Sequence, residues 1–137
     1  MKKKNGFTLI ELMGVITILA LLALIAIPVV EKNVKKGKED AKKIQIKNIE
    51  LAAQNWVSDN KISMVSYFSN CEKEDENLPC NTKIITLKFL IDEGYMDNET
   101  LTDPTTDNQI NLETSYVEVT YVTKKNYKYE VVLKNTY

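Results

Sequence analysis

One segment constrains the fold of this chain more than any other: the 24 residues from Phe7 to Val30 are almost entirely apolar. As a helix they extend about 36 Å at about 1.5 Å per residue, which is enough to cross a hydrocarbon core of about 30 Å. Glu11 is the charged residue in this segment, and a carboxylate in a bilayer costs roughly 2.5–3.5 kcal/mol on insertion scales. The segment predicts a membrane-inserted helix in which one charge needs an explanation.

Two explanations of Glu11 are open. It lies near one end of the apolar segment, so its carboxylate can reach the membrane interface. Alternatively, it pairs with a positive group in an assembled state. Because no residue from Phe7 to Val30 is basic, that group belongs to another chain, to a lipid headgroup or to an α-amino group newly made by cleavage.

Three lysines at positions 2 to 4 precede the apolar segment, and the positive-inside rule places that end in the cytoplasm. An ordinary secretory leader is the alternative, but it ends in a small-x-small cleavage site after 7–15 apolar residues. Here the run is longer, and its small residues recur at every third position without forming that site: Ala20, Ala23 and Ala26. The pattern favours a retained helix.

The composition argues against several classes of function. All 18 basic residues are lysine, there is no histidine, and the formal net charge is −1. The chain therefore lacks the arginines that make bidentate contacts to nucleic acids and the commonest general base. It also lacks a phosphate-binding loop and a zinc-protease helix. We expect neither an enzyme nor a nucleic-acid-binding protein.

Beyond the apolar segment, residues 31–60 are predicted to continue the helix as an amphipathic half. Pro28 either kinks the helix near Leu24 or marks the membrane exit. Lysines cover much of the surface from 35 to 47, where they contact anionic headgroups or, as we favour, form a solvated face. The apolar positions step at helical spacing and are predicted to face the core: Ala41, Ile44, Ile46, Ile49, Ala53, Trp56 and Val57.

The remaining residues, 61–137, are predicted to form a small α+β head. Met64 to Phe68 is a last helical stretch in the connecting region, and Thr86 to Tyr95 is a short helix that Thr86 caps and Gly94 ends. Alternation predicts strands at Tyr116 to Thr123 and Tyr127 to Lys134, joined as an antiparallel hairpin. We expect this hairpin to cover the Trp56 side of the long helix.

Two cysteines, Cys71 and Cys80, flank eight residues of the head. If this half is exported, an oxidising environment favours a disulfide between them over two free thiols. A zinc site would need further Cys or His ligands, and none is present in the sequence.

The N-terminus Lys-Lys-Lys-Asn-Gly-Phe-Thr-Leu-Ile-Glu-Leu-Met, continuing into a long apolar helix with a proline, resembles type IV prepilins and type II secretion pseudopilins over about residues 1–30. The resemblance implies that a membrane-embedded peptidase cleaves after Gly6 and methylates the new amine of Phe7. It also implies that Glu11 neutralises that amine on a neighbouring subunit, and that Pro28 is the family's helix proline. Gly6 suits this chemistry because it has no side chain to crowd the scissile bond.

The implied fold is α+β and pilin-like, with one long N-terminal helix, membrane-inserted in its first half, packed on a small antiparallel sheet. The implied parts are a leader at 1–6, an assembly helix at 7–30, an amphipathic half at 31–60 and a head at 61–137. In secretion pseudopilins a loop of the head can bind calcium, for which Asp103, Asp107 and Asn108 are weak candidates here. We favour a plain Asp-Pro turn and expect no cofactor.

The implied function is that of a structural subunit of a type IV pilus or a pilus-like filament. A pseudopilin of a type II secretion or DNA-uptake machine is the alternative, and an anchored extracellular binding domain that never polymerises is the second. The expected partners are other pilin-like subunits, the prepilin peptidase, an assembly ATPase and a membrane platform protein. The chain would span the membrane with its N-terminus in the cytoplasm and later join a filament at the cell surface.

Overall fold

The computed structural model describes residues 6–70, 79–97, 101–123 and 126–136. These residues form three helices and three strands. Their bounds are α1 Leu9–Asp59, α2 Lys61–Asn70, β1 Thr82–Thr86, α3 Leu87–Asp92, β2 Tyr116–Thr123 and β3 Asn126–Val132. The chain divides into two compact units, the first ending at Lys38 and the second beginning at Glu39.

The second half of α1 has one buried face, as its spacing predicts. Ile49, Ala53, Trp56 and Val57 are buried, together with Ala52. The prediction was wrong for Ala41 and Ile44, which are exposed. Ile44 lies about 180° around the helix from Ala53, and Ala41 precedes the start of the buried face by about two turns.

The sheet is antiparallel, with strand order β1-β2-β3. One inward column is Ile85, Val117 and Val131, which the register places side by side. The predicted hairpin is confirmed as β2 and β3, although β3 begins and ends earlier than expected. Strand β1 was not predicted, and it pairs along its whole length with β2.

The predicted short helix is confirmed as α3. Thr86 caps it by accepting a hydrogen bond from the Phe89 N–H at 3.2 Å. Gly94 follows with a φ of +80°, a left-handed conformation that glycine adopts at low cost. The N–H groups of Leu87 and Lys88 donate to the carbonyls of loop residues 115 and 112, so the start of the helix is fixed against the segment that leads into β2.

The core of the second unit lies between α1, α2, α3 and the sheet. Leu87 and Leu90 of α3 are fully buried, and Met64 of α2 is buried with them. Trp56 of α1 and Phe89 of α3 meet edge to face with ring centroids 5.5 Å apart. The predicted pilin-like α+β architecture is thus confirmed: the second half of a long N-terminal helix packs with a small three-stranded antiparallel sheet.

Candidate functional site

The start of α1 is built around two side chains that cap it reciprocally. The Thr8 hydroxyl accepts a hydrogen bond from the Glu11 N–H at 3.3 Å. In return, a carboxylate oxygen of Glu11 accepts from the Thr8 N–H at 2.8 Å and from the Thr8 hydroxyl at 2.7 Å. This arrangement is a capping box, which satisfies N–H groups that the first turn of a helix leaves without partners.

The capping box supplies a partner for Glu11 that the sequence reasoning missed. The apolar segment contains no basic residue, and the carboxylate is held instead by an uncharged hydroxyl and a backbone N–H of its own helix. The signal was present, because Thr8-Leu9-Ile10-Glu11 fits the pattern Ser/Thr-x-x-Glu ahead of an apolar run. Within one chain, Glu11 therefore lies at the end of the apolar helix with its charge hydrogen-bonded.

The peptide bond between Gly6 and Phe7 precedes the helix. Gly6 does not have a left-handed φ, and a Cβ built on it meets no described atom within 4 Å. Phe7 is 86% exposed. The fold of the described residues therefore places no requirement for glycine at position 6, and the bond is open to another protein.

The apolar run at the start of α1 is uncovered in the described structure. Among the described residues, α1 is a helix long and apolar enough to cross a membrane, judged by length and composition alone. From Leu9 to Val30 its large apolar side chains are all exposed. Pro28 lies inside the helix, which remains α-helical on both sides of it; its use as a hinge stays a prediction.

A partly buried charged cluster joins the second half of α1 to the head. The Lys42 ammonium lies 2.7 Å from an Asp103 carboxylate oxygen. The other oxygen accepts from the Thr105 N–H at 2.8 Å and from its hydroxyl at 2.6 Å. Burial alone raises the pKa of Asp103, but the hydrogen bonds from Lys42 and Thr105 outweigh it and lower the pKa to about 2.

The calcium candidates meet in a single loop, but Asp103 is already engaged. The Asp107 N–H donates to the Asp103 carbonyl, and the Asp103 N–H donates to the Asn108 carbonyl, each at 2.8 Å. Asp107 has a φ of 57°, so the three residues form a tight turn. Among the residues that the structure describes, no three His, Cys, Asp or Glu side chains are grouped as metal ligands would be. The expectation that no cofactor is bound, and the calcium alternative to it, both stay untested.

The predicted disulfide includes Cys71, which lies outside the described residues. Cys80 lies in the turn that leads into β1. Their pairing therefore stays a prediction.

Aromatic side chains join α2 to the hairpin. Phe68 stacks on Tyr121 with centroids 5.4 Å apart, and Tyr127 lies 6.1 Å from Phe68. Burial raises the pKa of Tyr129, with smaller contributions from Tyr127 and Glu50, to about 12. Tyr121, Tyr127 and Tyr129 are half-buried side chains of the hairpin.

The N-terminal part of the chain matches a known protein family. Residues 1–27 match the family described as the prokaryotic N-terminal methylation motif. The matched range contains Gly6, Phe7, the capping box and most of the apolar run, whereas the head lies outside it. No curated protein and no solved structure matches the chain.

Proposed function

We propose that this chain, which carries the signature of type IV prepilins and pseudopilins, is a structural subunit of a type IV pilus or a pilus-like filament. The prepilin peptidase cleaves it between Gly6 and Phe7 and methylates the new amine. The chain is a substrate and has no catalytic role of its own. An assembly ATPase and a membrane platform protein drive its transfer from the membrane, where its N-terminus is cytoplasmic, into a filament at the cell surface.

The observation that carries this proposal is a capped carboxylate in the first turn of an uncovered apolar helix. The apolar side chains of α1 need either lipid or the helices of neighbouring subunits to exclude water. Glu11 stands three positions after the Thr8 cap, close to where cleavage creates a positive amine on Phe7. Two unit charges at about 4 Å gain about 4 kcal/mol at an effective dielectric constant of about 20, which matches the cost of placing the carboxylate in the membrane.

A pseudopilin of a type II secretion or DNA-uptake machine uses the same N-terminal segment, and copy number and filament length distinguish it from a pilin. An anchored binding domain that never polymerises would need neither the motif nor a carboxylate in the apolar helix. A protein of this kind would stay monomeric in the membrane.

Intact-mass measurement of the mature protein tests the proposal. We expect a chain that begins at methylated Phe7, whereas one that begins at Met1 or after Ala26 would overturn it.

Gly6→Val should block cleavage, because its branched side chain crowds the peptidase and not the chain itself. Gly14→Val is the matched control, since Gly14 is equally open but lies beyond the cleavage site, and its product should still begin at methylated Phe7.

A further inference from the structure

The helix α1 passes from its apolar run into a lysine-rich segment without a break. Three lysines directly follow the run, and we define Lys32, Lys35 and Lys36 as the lysine collar. At about 1.5 Å per residue they lie about 3 to 9 Å beyond Val30, and they fall within about 100° of one another around the helix. The polar layer on each side of a bilayer is about 5–8 Å thick, so a helix inserted as far as Val30 places the collar among the headgroups.

The collar has no partner within the described part of the chain. All three side chains are exposed, and none makes an ion pair with a described acidic residue, although Glu39 is only four positions from Lys35. Lysines further along α1 differ in this respect. The ammonium groups of three of these lysines each lie within 3.1 Å of a carboxylate oxygen: Lys42 with Asp103, Lys43 with Asp40, and Lys47 with Glu50.

The charge distribution also runs against the expected membrane orientation. Residues 31–47 contain seven lysines and three acidic residues, whereas only three lysines precede the span. The positive-inside rule opposes translocation of such a flank. Once the flank is translocated, the lysine collar, whose three ammonium groups form no ion pair with the described acidic residues, lies at the depth of the lipid phosphates. The complementary charge at that depth is that of anionic phospholipids.

We propose that the lysine collar binds anionic phospholipid headgroups of the outer leaflet and that lipid charge sets how firmly the subunit is held before assembly. The proposal rests on the membrane-inserted precursor of the proposed function, and it adds a site and a ligand class to it. Long lysine side chains can reach a phosphate while their stems stay against the apolar boundary. Extraction into a filament must break these contacts, so a membrane richer in anionic lipid retains the subunit more strongly.

The test reconstitutes the uncleaved full chain in bilayers of phosphatidylcholine with trace spin-labelled lipid. Electron paramagnetic resonance gives the ratio in which the protein associates with labelled phosphatidylglycerol over labelled phosphatidylcholine. In the variant K32Q/K35Q/K36Q we expect this ratio to fall about threefold relative to the wild type. We expect the wild-type ratio to decrease when salt is added, because added ions screen the contact.

Two variants control for charge and for position. K32R/K35R/K36R keeps the charge and should keep the wild-type ratio, and K43Q/K47Q/K128Q removes three lysines that have carboxylate partners and should keep it too. The leader lysines are common to all variants and cancel in the comparison. An unchanged ratio in K32Q/K35Q/K36Q overturns the proposal. If that variant also gives a reduced filament yield, the collar is assigned to contacts between subunits instead. The bilayer measurement needs neither cleavage nor filaments, so its outcome is independent of the test at Gly6.

Discussion

At the scale of single residues, Thr8 determines how the apolar helix begins. Thr8→Val removes the hydroxyl that accepts from the Glu11 N–H and donates to its carboxylate, while keeping the size of the side chain. Loss of a cap costs about 1 kcal/mol, so the Thr8 and Glu11 amides should exchange hydrogen roughly fivefold faster. Amide exchange of the full chain in detergent micelles measures this directly.

Thr17→Val is the matched control on the same helix. The Thr17 hydroxyl donates to the Met13 carbonyl at 2.8 Å, and its removal leaves no N–H without a partner. Exchange near the helix start should therefore be unchanged in Thr17→Val, and Thr8→Ser should restore the wild-type rate. Equal rates in Thr8→Val and the wild type would show that the helix start does not depend on the cap.

Asp103 makes the stability of the head depend on pH. Its pKa is about 2 in the folded chain against an ordinary value of 3.8, so its stabilising effect is complete above about pH 4 and is lost as the pH falls through 2. This shift corresponds to about 2 kcal/mol. Between pH 5 and pH 2, the free energy of unfolding of wild type in micelles should fall by about that much more than in Asp103→Asn.

The surface pair of Lys43 and Asp40 provides the comparison. Both side chains are more than half exposed, and such pairs contribute about 0–1 kcal/mol. Asp40→Asn should keep the steep acid dependence of the wild type, whereas Asp103→Asn should lose it. A steep dependence in both variants would assign the acid sensitivity to other groups.

At the scale of secondary-structure elements, the sequence predicts a helix or strand when the pattern that indicates it lies within that element. Strands β2 and β3 alternate cleanly, and α3 has a cap at Thr86 and a terminal Gly94, so all three were found. Strand β1 was missed because its two apolar residues, Ile84 and Ile85, are adjacent and it runs into α3 without a turn residue. Its existence depends on pairing with β2 across a gap of some thirty residues, which no local pattern encodes.

The residues of the candidate site also fall into two groups: those that the local sequence predicts and those that only the fold brings together. Gly6, Phe7 and Glu11 are recognisable from local spacing, and the capping box also has a local signal in the spacing of Thr8 and Glu11. The link between Lys42 and Asp103 joins residues 61 positions apart and is visible only after folding. The same holds for Lys32, which forms no ion pair within the described part of the chain, because a lysine run alone does not distinguish paired side chains from unpaired ones.

Helix α3 should be necessary for the stability of the head because Leu90 is completely buried within the core. Leu90→Ala leaves a cavity and should lower the free energy of unfolding by about 2–5 kcal/mol. Leu51→Ala is the comparison on α1, since Leu51 is 44% exposed and should lose less than about 1 kcal/mol. Denaturant titration in micelles, followed by Trp56 fluorescence, measures both. Similar losses would mean that α3 is not part of the cooperative core.

At the scale of the whole molecule, the proposed function requires the N-terminal helix to be stable in two surroundings. In lipid the backbone groups of α1 are satisfied internally, and the capping box extends this to its first turn. In the proposed filament the apolar side chains would meet those of neighbouring subunits, so that they would stay buried when the helix leaves the lipid. The carboxylate of Glu11 is then the group whose environment changes most, since an amine from a neighbouring Phe7 can pair with it.

Glu11→Gln separates the two roles of this side chain. Glutamine can occupy the same position of a capping box, so the helix start, membrane insertion and cleavage after Gly6 should be retained, whereas the negative charge is lost. Filament yield from cells expressing the variant should fall at least about tenfold, because 1.4 kcal/mol of lost pairing suffices for that factor.

Glu11→Ala should lose both the cap and the charge. Glu31→Gln, at the opposite end of the apolar run, controls for a general effect of charge and should assemble normally. Normal filament yield in Glu11→Gln would assign Glu11 to helix capping alone and remove the charge pair from the assembly mechanism.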